Sequence, residues 1–249
     1  MKTTHKFLLA CIPVLGLGLA ACGGGDLADR LDVADPVVRF VHAASDEPNL
    51  TLYRAEVAQA DATNVAYKFA SDYFDVDLGT NDWLVKTAAG AVTLGTPVPI
   101  TPLRGTRYTI VALPATGNYL IIDPYNKSVG SSSSRLRVMN ASPGASNVDL
   151  YMTALGADIT PLNPTIAATA YKTSGPASGG DSLGISSSTY QVTITAAGTK
   201  TPILFKGQLS FGENQDILLL TVPNPLVPGA IKALVKIDGT PGATDVTPI

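Results

Sequence analysis

The sequence predicts an all-β protein of two tandem immunoglobulin-like β-sandwich domains, and three observations carry that prediction. First, Arg39-Phe-Val-His-Ala-Ala-Ser-Asp-Glu-Pro-Asn-Leu-Thr-Leu-Tyr53 returns at a constant offset of 98 as Arg137-Val-Met-Asn-Ala-Ser-Pro-Gly-Ala-Ser-Asn-Val-Asp-Leu-Tyr151. Five identities and three apolar exchanges in fifteen positions, each copy reading as strand, turn, strand, mark a duplicated unit. Second, the apolar runs between residues 36 and 238 are short and are broken by Gly, Pro and Asn, which is the pattern of sandwich strands. Third, no stretch after the first residues sustains a 3.6-residue apolar period long enough for a helix.

The chain opens with export chemistry. Lys2, His5 and Lys6 form a basic segment, and Phe7 to Leu19 is apolar but shorter than the roughly 20 residues a spanning helix needs. Residues 1–21 are therefore expected to be a signal peptide. Leu19-Ala20-Ala21-Cys22 resembles the lipobox of bacterial lipoproteins, which implies cleavage before Cys22 and a lipid on its sulfur, so that the lipid is the membrane attachment. Gly23-Gly-Gly-Asp-Leu-Ala-Asp-Arg30 reads as a flexible tether, residues 22–35, because three glycines are costly to order. In the lipoproteins this resembles, an aspartate after the cysteine marks inner-membrane retention. Gly23 at that place implies the outer membrane.

Of the two cysteines, Cys11 would leave with the signal and Cys22 would carry the lipid. No thiol then remains for a disulfide, a zinc site or a nucleophile, and repeats of about a hundred residues are large enough to fold on their cores alone. Loss of Lys2 and Lys6 takes the formal charge from −3 to −5. With no basic cluster, the chain has no electrostatic footprint for nucleic acid.

Taken in order, the first domain is expected over residues 36–127. In its first strand Val38, Phe40 and His42 share one face and Arg39, Val41 and Ala43 the other, so both faces are substantially apolar and the strand reads as central. Asp46-Glu-Pro-Asn49 has turn chemistry, and Leu50 and Leu52 then point inward. Ala55 to Thr63 is expected as loop, since the matching Ala154 to Pro164 contains two prolines. Tyr67 to Asp77 reads as a pair of strands, followed by strand and turn over Trp83 to Gly90. Ala91 to Ile100, Tyr108 to Leu113 and Tyr119 to Ile122 complete the set.

Ser128-Val-Gly-Ser-Ser-Ser-Ser134 is expected as the linker, and residues 135–238 as the second domain. Tyr171-Lys172 echoes Tyr67-Lys68, and Thr195-Ala-Ala-Gly198 echoes Thr87-Ala-Ala-Gly90. Tyr190, Val192 and Ile194 alternate with Gln191, Thr193 and Thr195 as a half-buried strand, and Ile217 to Val222 is apolar throughout. Ile231 to Ile237 closes the domain. From Gly239 the chain has Pro and Gly but no apolar pattern, so residues 239–249 are expected to be a disordered tail.

Val41-His-Ala-Ala-Ser-Asp-Glu-Pro48 through Leu52-Tyr53, then Phe69-Ala-Ser-Asp-Tyr73, resembles the bacterial domain-of-unknown-function family numbered 4397, and Ala141-Ser-Pro-Gly-Ala with Asn147-Val-Asp-Leu-Tyr151 fits the pattern again. The resemblance implies exported β-sandwich domains and no established activity. The two copies depart from each other at Asn140 against His42 and at Thr51 against Asp149.

Candidate sites are few. His42 is the only histidine after the signal. Its counterpart Asn140 also offers a donor and an acceptor, so both are assigned a structural hydrogen bond holding the turn after the strand. Asp72, Asp75 and Asp77 do not share one face and form no calcium loop, so no metal site is expected. The serine runs lack a nucleophile elbow, and no glycine loop precedes a helix; no cofactor and no catalytic residue is assigned. Tyr53 and Tyr151 remain, because Leu52 and Leu150 take the inner face and leave the tyrosines outward, as partly exposed aromatics suited to binding. The expectation is thus a non-catalytic binding or structural module of the cell envelope with an envelope protein or polysaccharide as partner. The alternative is a hydrolase acting on envelope polymers, which would need His42 beside a carboxylate and a nucleophile in one pocket.

Overall fold

A computed structural model of the protein describes residues 34–249 except 89, 91, 115–116, 126–129 and 228. The expected signal peptide, Cys22 and the tether as far as residue 33 lie outside the described residues. The first half forms β1 (Val37–His42), β2 (Leu50–Arg54), β3 (Val57–Ala58), β4 (Phe74–Asp75), β5 (Asn81–Thr87), β6 (Thr93–Ile100), β7 (Arg107–Leu113) and β8 (Gly117–Asp123), with a 3₁₀ turn at Ala60–Ala62. The second half forms β9 (Ser133–Asn140), β10 (Val148–Thr153), β11 (Ile166–Thr169), β12 (Ser174–Gly175), β13 (Leu183–Ser186), β14 (Ser188–Ala196), β15 (Ile203–Phe211), β16 (Asp216–Pro223), β17 (Ile231–Ile237), β18 (Thr244–Asp245) and β19 (Thr247–Pro248). No helix among the described residues is long and apolar enough to cross a membrane.

The strands build an all-β fold of stacked sheets. Sheet I has the order β4-β1-β7-β8 and sheet II β3-β2-β5-β6; sheet III is β12-β9-β16-β17-β18, with β13 also on β9, and sheet IV is β11-β10-β14-β15-β19. Sheets I and II close on Val38, Phe40, Leu50, Leu52, Trp83 and Ile110, and sheets III and IV on Leu136, Val138, Leu150, Ile194, Leu219 and Val235. Each such side chain stabilises the fold by on the order of 1.5–3 kcal/mol when taken from water. The duplication read from the sequence is visible in the pairing: β1 runs parallel to β7 with Val37 opposite Arg107, and β9 runs parallel to β16 with Arg135 opposite Asp216.

The outer faces of sheets I and III pack on each other. Strand alternation gives β1 two faces: Val38 and Phe40 go to the first core, Val41 and Ala43 to a third cluster shared with Val111, Leu113, Met139, Leu220 and Leu234. That seam explains why these strands are apolar on both sides. It is reciprocal in the manner of a two-fold axis. Arg39 bonds Asp238 (2.5 Å), while Arg137, its equivalent, faces Asp123 at 3.5 Å. Asp123 and Asp238 are themselves equivalent, since Asp123 lies opposite Arg107 on β8 and Asp238 donates its backbone N–H to Asp216 just past β17. Arg107 and Asp216 hold one position in the two copies and pair with each other at 2.6 Å. Identical residues at such an axial position would repel; the divergence to Arg and Asp turns repulsion into attraction.

Four segments differ from expectation. Within Ala55 to Thr63, expected as loop, β3 pairs antiparallel with β2 and Ala60–Ala62 winds a 3₁₀ turn. In Tyr67 to Asp77 only Phe74–Asp75 is a strand, beside an isolated bridge of Ala70 to Val41. The segment instead binds β1 through bent backbone: Lys68, at φ 73°, donates its N–H to His42 O (2.9 Å), as Lys172, at φ 61°, does to Asn140 O (2.9 Å). Of the expected linker, Ser133 and Ser134 belong to β9 and pair with β13, and the buried Ser134 hydroxyl donates to Gly212 O (2.7 Å). Small polar residues are as orderly as any once their backbone is in a ladder. Residues 239–249, expected as a disordered tail, carry β18 on β17 and β19 on β15 and bury Val246 between them. One apolar anchor gives no periodicity to read, yet it closes the open side of the second sandwich. The same tail reaches the first sandwich through Ala243 N–H to Lys68 O (2.9 Å) and the Lys68–Asp245 pair (2.6 Å).

Candidate functional site

The densest polar chemistry among the described residues lies at one end of the seam, where β1, β7 and β9 bring Arg39, Arg107, Arg135 and Arg137 together. Arg39 donates through Nε to Thr109 Oγ1 (2.9 Å) and through Nη1 to Asp238. Arg107 reaches Asp216 (2.6 Å) and Asp238 (3.0 Å), and Arg135 meets Asp216 at 2.5 Å. Tyr73 lies between Arg39 and Arg107, with guanidinium carbons 4.6 and 4.9 Å from its ring centre, and Tyr125 lies between Arg107 (3.2 Å) and Arg135 (3.7 Å). Such stacking holds the planar cations in register. Burial pushes the Asp238 carboxyl above the ordinary range; Arg39 draws it back and Asp216 pushes it further up. Burial likewise raises the Tyr73 phenol, against the pull of Arg39. Lys236, fully buried on β17, donates to Asp72 Oδ1 (2.9 Å) and to the Thr240 carbonyl.

His42 and Asn140 occupy matching places. His42 is buried and donates through Nε2 to Pro48 O (3.1 Å); Asn140 donates through Nδ2 to Ser146 O (3.2 Å), the carbonyl 98 residues further on. Both bonds tie the end of the strand across the turn that follows it. Burial lowers the His42 pKa, offset in part by the Pro48 carbonyl and by Asp46. Its Nδ1 is buried with no hydrogen-bond partner in the structure, so neither ring nitrogen meets a carboxylate or a hydroxyl. Asn140 does more than its counterpart: its Oδ1 accepts from Ser142 N–H (3.1 Å) and from the Thr221 hydroxyl (2.8 Å), where the first copy has Ala112.

The two tyrosines do not share a fate. Both leave the inner face to leucine, but only Tyr53 stays partly open, with Lys86 Nζ 4.8 Å from its ring centre. Lys86 also pairs with the exposed Glu56 (2.5 Å). Tyr151, expected to be partly exposed, is 1% exposed. The loop after β10 roofs it: Gly156 N–H donates to Gln191 Oε1 (3.0 Å), Gln191 Nε2 to Ala157 O (3.1 Å), and Lys200 Nζ to both the Tyr151 hydroxyl (2.9 Å) and the Leu162 carbonyl. Asp149 anchors the same roof by accepting from Ala168 and Gly198 N–H (2.8 Å each), whereas the first copy has Thr51 there. Facing outward on a strand is not the same as facing water when a twelve-residue loop can fold back.

Sequence reasoning also missed a role for Asp72, which serves the buried Lys236 rather than solvent alone, while Asp77 lies 3.6 Å from Arg54 and is exposed. No three His, Cys, Asp or Glu side chains gather as metal ligands among the described residues. The arginine cluster itself was not anticipated. Its signal was the retention of Arg39 and Arg137 at one place in two otherwise apolar strands, where a lone cation must find partners.

Comparison with known proteins places part of this architecture. Residues 36–151 match the family described as Domain of unknown function (DUF4397). This stretch carries a DUF4397-like domain. The match takes in the whole first sandwich and continues through β9 and β10 to Tyr151. Among curated proteins nothing matches. Among solved structures, the family 26 carbohydrate-binding module of Eubacterium rectale Amy13K, determined in complex with maltoheptaose, is similar over 86% of this chain and 98% of that one, at 7% identity and a TM-score of 0.24. A superposition that loose carries no argument about ligands.

Proposed function

We propose that the protein is a lipid-anchored, non-catalytic module of the cell envelope that holds an extended protein or polysaccharide partner on the outer face of its first sandwich, around Tyr53 and Lys86. The observation that carries the reading is the unequal burial of one duplicated tyrosine: each has a lysine over its ring, Lys86 at 4.8 Å and Lys200 at 4.3 Å, but the copy at 151 is sealed under a loop while Tyr53 stays partly open. An aromatic face beside a cation is a rigid amphipathic contact at small entropic cost. The seam arginines and aspartates are engaged with one another, and His42 is spent on a carbonyl, which favours binding over hydrolysis. The lipid at Cys22 and the outer-membrane location are part of the proposal, supported by the lipobox-like Leu19 to Cys22 and by Gly23.

The test is co-purification of envelope components with the native-length protein and its variants. Tyr53→Ala is expected to lower partner retention about tenfold, the loss of ~1.4 kcal/mol that one aromatic contact supplies. Tyr151→Phe should leave retention unchanged. Full retention by a folded Tyr53→Ala protein would remove the binding face from Tyr53.

A further inference from the structure

The second copy displays what its own tyrosine face holds, and that occupant is polypeptide. Tyr53 stands opposite Leu84 in the ladder of β2 on β5, and Tyr151 stands opposite Thr193 in that of β10 on β14, so the two tyrosines are equivalent. Two residues back along each partner strand, on the same outer face, are Asp82 and Gln191. We infer that the Tyr53 face takes an extended polypeptide segment of the partner, bound as the second copy binds its own residues 154–165, with an apolar side chain against Tyr53 and a backbone carbonyl on Lys86. The inference rests on the reading of Tyr53 as a binding face and names the class of partner within it.

The roof over Tyr151 is recognised chiefly through its backbone. One carboxamide, that of Gln191, accepts from Gly156 N–H (3.0 Å) and donates to Ala157 O (3.1 Å), so it takes the donor and the acceptor of adjacent residues. Lys200 donates to the Leu162 carbonyl while its ammonium lies 4.3 Å from the Tyr151 ring centre. Ile159 is the branched side chain that the roof buries. Adjacent amide groups and a branched apolar side chain are what an extended polypeptide presents; a sugar chain presents mainly hydroxyls.

The first copy keeps groups of the same kind and lacks the roof. Tyr67 follows Tyr53 by fourteen residues, whereas Tyr171 follows Tyr151 by twenty, so the first copy is short of the six residues that make the crossing. Its loop instead pairs as β3 along the edge of β2, in the plane of the sheet. Tyr53 is left partly open with Lys86 Nζ 4.8 Å from its ring centre. The exposed Asp82 stands in the place of Gln191 and retains its acceptor half, for a partner's N–H. Lys86 pairs with Glu56 (2.5 Å), but an ammonium has three donors, which leaves capacity for a carbonyl as Lys200 serves both the Tyr151 hydroxyl and Leu162 O. The two lysines come from different positions, Lys86 from β5 itself and Lys200 from the turn after β14. A cation over the tyrosine is thus present in both copies by separate routes, and in the copy that has an occupant it caps a peptide carbonyl.

The probe is a synthetic peptide of residues 154–165 with blocked ends, titrated into the isotope-labelled native-length protein and followed by NMR. Saturable shifts are expected at Tyr53, Asp82 and Lys86. Tyr53→Ala should weaken the peptide about tenfold, as the loss of one aromatic contact, and Lys86→Met by a similar factor, as the loss of one charged donor. Lys86→Met keeps the aliphatic stem and decides the matter if Tyr53→Ala fails to fold. Shifts confined to the surroundings of Tyr151, or none at the solubility limit of the peptide, overturn the inference. So does envelope material that the wild type retains and Tyr53→Ala loses, but that survives proteinase K and is degraded by glycan hydrolases: that outcome gives Tyr53 a polysaccharide, removes the polypeptide and leaves the binding face standing. Equal retention by a folded Tyr53→Ala protein removes the face and the inference with it.

Discussion

Leu220→Ala tests whether the seam is part of one folding unit or merely where two independent domains touch. Along β16 the side chains alternate: Leu219 faces the second core, whereas Leu220 faces the seam beside Val111, Leu113 and Leu234. Leu220 is fully buried. Truncating a leucine so enclosed removes apolar contact and leaves a cavity, at a cost of about 2–5 kcal/mol. For a protein of this size each kcal/mol moves the melting temperature by about 2–4 °C, so a central cost of about 3 kcal/mol lowers it by roughly 6–12 °C. Differential scanning calorimetry should show one endotherm in the wild type and one, shifted down, in the variant, because the seam joins both sandwiches through apolar packing and buried ion pairs together. Leu219→Ala, which opens the second core, should give a shift of the same order. Two separate endotherms in the wild type, with neither moved by more than about 1 °C in Leu220→Ala, would refute the reasoning.

The pH dependence of stability should carry the signature of His42. Burial holds its pKa below 6.5 in the folded protein, so the unfolded chain takes up the proton first; stability is complete above that value and falls as the pH drops below it, by at most about 1.4 kcal/mol per pH unit. His42→Asn installs the residue its own duplicate uses, so urea midpoints at pH 7 and pH 5 should lie closer together than in the wild type. An unchanged slope would mean that His42 charges freely in the fold. For the anchor, Cys22→Ser should abolish incorporation of a fatty-acid analogue, and label persisting on that variant would dismiss the lipid at this position.

Much of the architecture was legible because its signals are local. The repeat of Arg39 to Tyr53 at Arg137 to Tyr151, the inward Leu52 and Leu150, and the run Ile217 to Val222 all report a two-residue period that pairing merely uses. The apolar character of β1 on both faces was legible as burial, but not what it was buried against. The paired turn bonds of His42 and Asn140 were readable for the same reason: one chemical capacity, donor and acceptor, was kept while the residue changed. The tyrosines show where such reading ends. Their strand positions are equivalent, and their exposure is opposite, because exposure belongs to the loop that crosses above and not to the strand.

What the sequence determined by itself is therefore the secondary structure class, the duplication and the direction each strand residue faces, since these follow from covalent periodicity and residue chemistry over a few neighbours. The tertiary structure alone decided how the two copies meet. Whether Arg39 finds Asp238, nearly two hundred residues away, depends on the pose of two sheets whose contact has no trace in local pattern. The arginine cluster itself arises only when four residues from three strands converge. Electrostatic energy depends on distance through space, and a chain encodes that distance only by folding.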